Sequence, residues 1–185
     1  AKADTARNMG SIADGTSNTI AISEVTICNP AGTPATGGPI KGSSTRSSGV
    51  AWTTYDAATR TTNVHGCWAT KSGNEYNNTW SGGGSGDPGG MWSDCKLTSM
   101  GFSTILPPNG PSCNGTNTAE DAIITPSSYH TGGVVAGMAD GSIRFVSETI
   151  DCGNPATGNI VTSGVSEFGV WGAMGTIDGG EAKSQ

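Results

Sequence analysis

Two histidines, His65 and His130, are the side chains of this sequence best suited to acid–base chemistry near neutral pH. Nine residues separate His130 from Asp140 in the segment "HTGGVVAGMADG". A histidine next to an aspartate would suggest a general base oriented by a carboxylate. The chemistry therefore depends on whether the intervening residues bring these two side chains together.

The residues between the histidine and the aspartate predict a strand followed by a turn. Two β-prone runs, 133–139 and 142–150, flank the dipeptide Asp140-Gly141. Asp-Gly supplies the positive φ angles that a two-residue type I′ hairpin turn requires. Because a strand rises about 3.3 Å per residue, His130 would lie up to about 30 Å from Asp140. We therefore predict a hairpin here and not a catalytic pair.

Other arrangements for catalysis or metal binding also depart from known patterns. Ser85, in "GGGSGDPGG", lacks the G-x-S-x-G spacing of a nucleophile elbow because Asp87 replaces the final glycine. His65 and Cys67 could offer two ligands to a transition metal, but no second pair follows at zinc spacing. We expect no catalytic residues, and a secreted hydrolase is the third of the functions considered.

The composition predicts a single, mainly β domain over residues 1–185. Glycine accounts for 30 of the 185 residues, and only 13% of the residues are charged. Helical periodicity is nearly absent, whereas short alternating runs are separated by turn residues. We expect an antiparallel sheet or small sandwich with long loops rich in Gly, Ser and Thr, and with little helix.

Several segments can be assigned before the structure is known. Besides the hairpin, the runs that fit strands are 18–27, 49–55, 63–69 and 169–177. The glycine- and proline-rich segments that predict loops are 81–90 and 106–117. Acidic residues in "TAED" predict a short helix at Thr118–Asp121.

The charge balance argues against two classes of partner. The net charge is −6, and the nine Lys and Arg residues form no cluster that could neutralise phosphates. We therefore expect no binding to nucleic acid or to anionic membrane surfaces. No run of about 18 apolar residues is present, so no membrane span is expected in this sequence.

The five cysteines show no CxxC spacing, which disfavours metal knuckles and thioredoxin-type motifs. In a chain with little charge they favour an oxidising, extracytoplasmic compartment and one or two disulfides; buried free thiols in a cytosolic protein are the alternative. "DGTSNTIAISEVTIC" and "DGSIRFVSETIDC" echo each other, so Cys28–Cys152 is the first pairing expected. The disulfide candidates are Cys28, Cys67, Cys95, Cys113 and Cys152.

We expect no required cofactor, with a structural calcium ion as the alternative. Oxygen-rich turns such as "DGTSNT" and "SGDPGG" could present carboxylates and carbonyls to Ca²⁺. The alternative is that each aspartate hydrogen-bonds the backbone of its own turn. The candidate ligands are Asp14, Asp87, Asp94 and Asp140.

Two tryptophans and two asparagines raise the question of glycans. Trp80 and Trp92 flank the glycine-rich loop, where exposed rings could stack on sugars or anchor a protein contact. The alternative is that these rings fill the core. Asn77 and Asn114 begin glycosylation sequons, which matter only in a host that glycosylates.

Three segments together resemble one family. "HTGGVVAGMADGSIRF" is similar to the signature of bacterial, planctomycete-type prepilin-like proteins, in which a histidine is followed by nine residues and Asp-Gly, here His130, Asp140 and Gly141. An upstream "DGTSNT" with a strand and a glutamate matches the same family, as does "FGVWGAMGT" followed by "GGE". The upstream motif contains Asp14, Gly15, Asn18 and Glu24.

The resemblance implies a pseudopilin-like C-terminal globular domain, related to type II secretion or type IV pilus proteins. We expect this chain to be the C-terminal portion of a longer prepilin-like protein without its N-terminal helix. The implied role is a non-enzymatic structural or assembly subunit at the cell surface, outside the cell or in the periplasm, with itself or other pilin-like subunits as partners. The alternative is a carbohydrate- or surface-binding module that uses the loop tryptophans.

Overall fold

A computed structural model describes residues 8–27, 38–41, 55–56, 61–62, 64–77, 93, 97–114, 122–156 and 164–180. Within these ranges the strands are short and all their pairings are antiparallel. The predicted mainly β fold is confirmed. Among the helices of these ranges, none has the length and hydropathy that a membrane span requires.

The elements are numbered along the chain. The strands are β1 (Ile20–Ser23), β2 (Gly38–Pro39), β3 (Tyr55–Asp56), β4 (Thr61–Thr62), β5 (Lys71–Ser72), β6 (Glu75–Tyr76), β7 (Cys113–Asn114), β8 (Ala122–Ile123), β9 (Gly133–Met138) and β10 (Ile143–Ser147). The helices are α1 (Val64–Trp68), α2 (Leu97–Met100) and α3 (Gly169–Ala173), and a 3₁₀ turn covers Met9–Ser11. The sheets have the strand orders β1-β9-β10, β2-β6-β5, β3-β4 and β7-β8.

The sheet β1-β9-β10 is the principal sheet, and it contains three of the predicted strands. The central strand β9 places Val134, Ala136 and Met138 on one face, where all three are buried. Val146 of β10 is buried on the same face. The alternation of apolar residues that predicted the hairpin therefore corresponds to the alternate side chains that are buried in the core.

The hairpin between β9 and β10 is confirmed, but the predicted type I′ turn is wrong. A type I′ turn needs positive φ at both central residues, whereas only Gly141 has positive φ here, at 85°. The Gly141 N–H donates to the Met138 carbonyl (2.9 Å), and the Met138 N–H donates to the Ser142 carbonyl (2.8 Å). The loop therefore has three residues and ends in a left-handed glycine, an alternative that also suits the strand twist.

Helix α3 joins two hydrophobic clusters. One cluster, beneath the principal sheet, contains Trp171 and Met174, and the other contains Phe168 with Leu106. Trp171 is fully buried, and its indole Nε1–H donates to the Leu106 carbonyl at 2.7 Å. A buried tryptophan with a satisfied N–H packs a large apolar surface without leaving an unpaired polar group.

Two segments predicted as strands are helices. Residues 63–69 contain α1, and residues 169–177 begin with α3. Phe168, just before the second segment, and Trp171 and Met174 within it are buried at intervals of three residues, which places them on one side of a helical turn. Glycine-rich composition obscured this spacing, since Gly has low intrinsic helix propensity.

The predicted Cys28–Cys152 disulfide is wrong, because Cys152 is a free thiol. The disulfide that forms joins Cys67 to Cys113, with a Cα–Cα distance of 5.8 Å. The two echoing segments contain β1 and β10, which flank β9 on opposite sides. Two strand spacings of about 4.8 Å separate them, which exceeds the Cα reach of a disulfide. Cys28 and Cys95 lie outside the described residues.

The remaining segment predictions have mixed outcomes. Residues 106–112 are irregular, as predicted for 106–117, but β7 follows at Cys113. This loop is also an interior element, because Leu106, Pro108 and Pro111 are fully buried. Of the predicted strand 49–55, the described part is Tyr55 in β3. The loop 81–90 and the helix Thr118–Asp121 lie outside the described residues.

The hairpin turn yields a first prediction. Gly141→Ala should lower the free energy of unfolding by about 1–2 kcal/mol, because an alanine is strained at positive φ. Nothing lies within 4 Å of a Cβ at this position, so the cost is conformational and not steric. Gly141→Asn is the matched control and should cost less, since Asn tolerates this region. Urea unfolding measures both; equal stability of Gly141→Ala and the unchanged protein would contradict the turn.

The disulfide yields a second prediction. The bridge spans 46 residues, so Cys67→Ala should lower the free energy of unfolding by about 4 kcal/mol through the entropy of the unfolded chain. Reductant should lower the thermal midpoint of the unchanged protein but not that of Cys67→Ala. Cys152→Ala in the same assay controls for the loss of a thiol that forms no bridge. A midpoint insensitive to reductant in every variant would show that the bridge contributes nothing.

Candidate functional site

The carboxylate of Asp14 holds the C-terminal segment of the described chain. Its Oδ2 accepts hydrogen bonds from the Gly179 N–H (2.8 Å) and the Thr176 hydroxyl (3.0 Å), and its Oδ1 accepts from the Gly180 N–H (3.0 Å). The pKa of Asp14 is lowered, first by the Gly179 N–H and also by Gly180 and Thr176, while burial acts in the opposite direction. In chain order, the first motif is "DGTSNT" with its strand and Glu24, the second is "HTGGVVAGMADGSIRF" and the third is "FGVWGAMGT" followed by "GGE". Asp14 therefore links the first motif to the third.

The rest of the first motif forms a turn that contacts the hairpin. Gly15 has φ 94° and its carbonyl accepts the Asn18 N–H, while the Asn18 side-chain amide donates to the Asp14 carbonyl. Two carbonyls of this turn, those of Thr16 and Thr19, accept the N–H groups of Asp140 and Ala139 at 3.1 and 2.8 Å. The three motifs meet here, in the motif junction, which comprises residues 14–19, 139–141 and 176–180.

Asp140 serves its own turn. Its Oδ1 accepts from the Ser142 hydroxyl (2.7 Å) and from the Ser142 N–H (2.9 Å). These two bonds, the hydroxyl first, lower the pKa of Asp140. A carboxylate that bonds the backbone two residues later is the usual way in which aspartate stabilises a turn.

The imidazole of His130 pairs with Glu24 and not with Asp140. Its Nε2 lies 3.3 Å from Glu24 Oε1. The other carboxylate oxygen of Glu24 accepts the Val135 N–H at 2.8 Å, and the Glu24 N–H donates to the Val135 carbonyl. Glu24 thus extends the β1–β9 ladder with its side chain. Its pKa is lowered first by the Val135 N–H, then by a Ser128 hydrogen bond and by His130.

The order of groups around Glu24 determines what this pair can do. In a serine hydrolase the imidazole stands between the hydroxyl and the carboxylate, so that it can take the hydroxyl proton. Here the Glu24 carboxylate receives both the Ser128 hydrogen bond and the His130 imidazole, and the Ser128 hydroxyl accepts the backbone N–H of His130. The pair lies at the surface, with His130 61% and Glu24 36% exposed. This order differs from that of a serine hydrolase, and it ties two chain segments together.

Residues that sequence reasoning passed over complete this scaffold. Asn109, at φ 63°, donates through Nδ2 to Glu148 Oε2 (2.8 Å) and accepts the Ser128 N–H through Oδ1 (3.0 Å). Ser127 bonds Thr26 through its hydroxyl, and its N–H donates to the Glu24 carbonyl. The one signal for Asn109 was "PPNGP", since Asn-Gly favours positive φ.

In the described part of the structure, the predicted metal ligands and catalytic candidates do not lie together in one site. Both carboxylate oxygens of Asp14 and Oδ1 of Asp140 accept the hydrogen bonds given above. Cys67 is in the disulfide and so cannot pair with His65 as a thiolate ligand. Over the ranges given for the structure, no three His, Cys, Asp or Glu side chains are placed to share a metal ion. The structural calcium ion stays a prediction. Ser85, Asp87 and Asp94 lie outside the described residues.

The glycan-related residues are only partly described. Trp80 and Trp92 lie outside the described residues. Asn77 is half-buried, and its Nδ2, the atom that a glycan would modify, donates to the Ala69 carbonyl at 2.6 Å. Asn114 lies in β7, opposite Ala122 of β8. Modification of either sequon stays a prediction.

Comparison with known proteins gives the family of this chain. Residues 2–153 match the model of a family described as protein of unknown function DUF1559. The chain therefore belongs to this family. No curated protein and no solved structure matches the chain.

The motif junction yields a third prediction, with a defined pH dependence. The folded pKa of Asp14 is lowered, so its stabilisation is complete above the ordinary value of 3.8 and is lost as pH falls through the folded pKa. At neutral pH, Asp14→Asn should lower the free energy of unfolding by about 1 kcal/mol, a figure that allows for solvent screening. It should also reduce the acid-dependent part of that free energy.

Urea unfolding between about pH 2 and pH 7 measures this effect. Asp178→Asn is the matched control, because Asp178 is exposed and forms no hydrogen bond or ion pair in the described structure. Identical pH profiles for Asp14→Asn and the unchanged protein would contradict the role given to Asp14.

Proposed function

We propose that this chain is a non-enzymatic structural or assembly subunit of a pseudopilin-like cell-surface or extracellular structure. Its partners are further copies of itself or other pilin-like subunits. Family membership alone gives no activity, since the family is described as one of unknown function. The proposal is supported by the use of the motif residues and by the surface of the principal sheet.

The motif residues support a scaffold role. Asp14, Glu24 and Asp140 each accept a backbone N–H within the fold. All three pKa values are lowered by such bonds, so these groups remain charged acceptors at neutral pH. A general acid or base instead needs a pKa close to the working pH. The polar groups of the motifs thus have a sufficient explanation in folding.

The observation that carries the proposal is the outer face of the principal sheet, formed by Ile22, Ile143 and Phe145. Their exposed fractions are 67%, 67% and 56%. A Cβ added to Gly137 would meet the Ile22 and Ile143 side chains, and one added to Gly133 would meet the Val146 carbonyl first and then the Phe145 ring. The two glycines of β9 therefore let apolar side chains from the flanking strands lie across the sheet.

An apolar outer face has a cost in a protein that works alone. Exposed apolar patches commonly mark contacts with other proteins. No position of β1 or β9 carries a charge, and the single charge on β10 is Arg144, next to the buried Val146 rather than on the outer face. The outer face is consequently suited to being covered by another subunit.

The disulfide supports the compartment in the proposal. Cys67 and Cys113 are both fully buried and bonded. Such bonds persist in secreted, periplasmic and cell-surface proteins and are rare in the cytosol. A cell-surface or extracellular location is consistent with this chemistry.

The proposal predicts concentration-dependent assembly of the purified chain. Sedimentation velocity over a range of concentrations should show oligomers, and Ile22→Glu should weaken them by about tenfold or more, because it places a charge in the outer face. Val165→Glu is the matched control, since Val165 is 57% exposed and lies on none of the numbered strands. A chain that stays monomeric, or an Ile22→Glu variant that assembles as well as the control, would contradict the proposal.

A further inference from the structure

The edge strand β10 has backbone groups that point away from its own sheet. In the β9–β10 pair, Met138 bonds Ser142, and the Glu148 N–H donates to the Gly132 carbonyl. Antiparallel pairs alternate between bonded and non-bonded residues. In this register the backbone N–H and C=O groups of the even-numbered residues of β10 point toward β9. Those of Ile143 and Phe145 therefore point away from the sheet.

These outward groups have no partner in the described structure. The one bond on this side is the Ile150 N–H to the Ser147 carbonyl, where the chain turns. Beside the edge lies an open groove of about 370 Å³, whose apolar lining includes Val146, Val170 and Met174. An edge with free donors and acceptors and no Lys or Pro is a template for another strand.

We propose that β10 pairs with β10 of a second copy of this chain, antiparallel and about a two-fold axis at Val146. This inference rests on the proposed function and names the contact through which assembly begins. The charges select the second copy as the occupant. Arg144 and Glu148 stand symmetrically on either side of Val146, so each arginine lies opposite the glutamate of the other copy.

A shift of the axis by two residues is less favourable. With the axis at Arg144, the two guanidinium groups would lie directly opposite, which is repulsive. With the axis at Val146, Phe145 pairs with Ser147 of the other copy through outward backbone groups. The joined sheets have six strands, and both outer faces lie on the same side, which continues the apolar surface of Ile22, Ile143 and Phe145.

The test distinguishes the contribution of the backbone N–H of Phe145 to dimerisation from that of its side chain. Phe145→Pro removes one outward N–H and no bond to β9, and proline is tolerated at such edge positions. Sedimentation of Phe145→Pro should show dimerisation weakened by about tenfold or more relative to Phe145→Ala, which loses the ring but keeps the N–H. Circular dichroism verifies that both variants fold.

A charge exchange tests the alignment without proline. Arg144→Glu should weaken the dimer, because it sets glutamates opposite each other, and Arg144→Glu combined with Glu148→Arg should restore it. Glu148→Arg also removes the Asn109–Glu148 hydrogen bond, so circular dichroism verifies the fold of the double variant as well. Assembly that is unaffected by Phe145→Pro, or not restored by the exchange in a folded double variant, would overturn the edge pairing and leave the proposed function standing. A chain that stays monomeric at roughly millimolar concentration would overturn both.

Discussion

The structure depends on carboxylates that accept backbone N–H groups from distant parts of the chain. Asp14 holds Gly179 and Gly180, 165 and 166 residues away, and Glu24 holds Val135, 111 residues away. Hydrogen bonds to a charged acceptor are stronger than those between neutral groups. This chain has few apolar residues, so these hydrogen bonds hold together distant segments that core packing alone would hold together in a protein with a larger core.

This arrangement explains why the three sequence motifs occur together. The turn of the first motif accepts N–H groups from the hairpin turn, while its aspartate accepts those of the third motif. His130 belongs to the same scaffold, since it lies against Glu24 at the far end of the principal sheet from Asp140. The motif side chains form hydrogen bonds within the fold, whereas the apolar outer face and the β10 edge are exposed. The function we propose assigns contacts with other subunits to these two exposed surfaces.

The sequence could predict local features and could not predict long-range pairing. The alternation in 133–139 and the Asp-Gly dipeptide were sufficient for the hairpin, because both signals act within a few residues. These signals did not determine the number of turn residues, since both a two-residue and a three-residue turn suit the same dipeptide. For α3 the three-residue spacing of Phe168, Trp171 and Met174 was present but competed with low helix propensity. No local sequence pattern predicts contacts that form only through tertiary folding, such as the pairs Cys67–Cys113, Glu24–His130 and Asn109–Glu148.

The most direct test of the central claim is an NMR titration of the Gly179 and Gly180 amide protons. If Asp14 holds them as a charged acceptor, both amide shifts should follow a single titration with a midpoint below the ordinary aspartate value of 3.8, and Asp14→Asn should abolish it. Amide shifts that do not respond to the Asp14 titration, or that respond identically in Asp14→Asn, would contradict the claim that this carboxylate joins the first and third motifs.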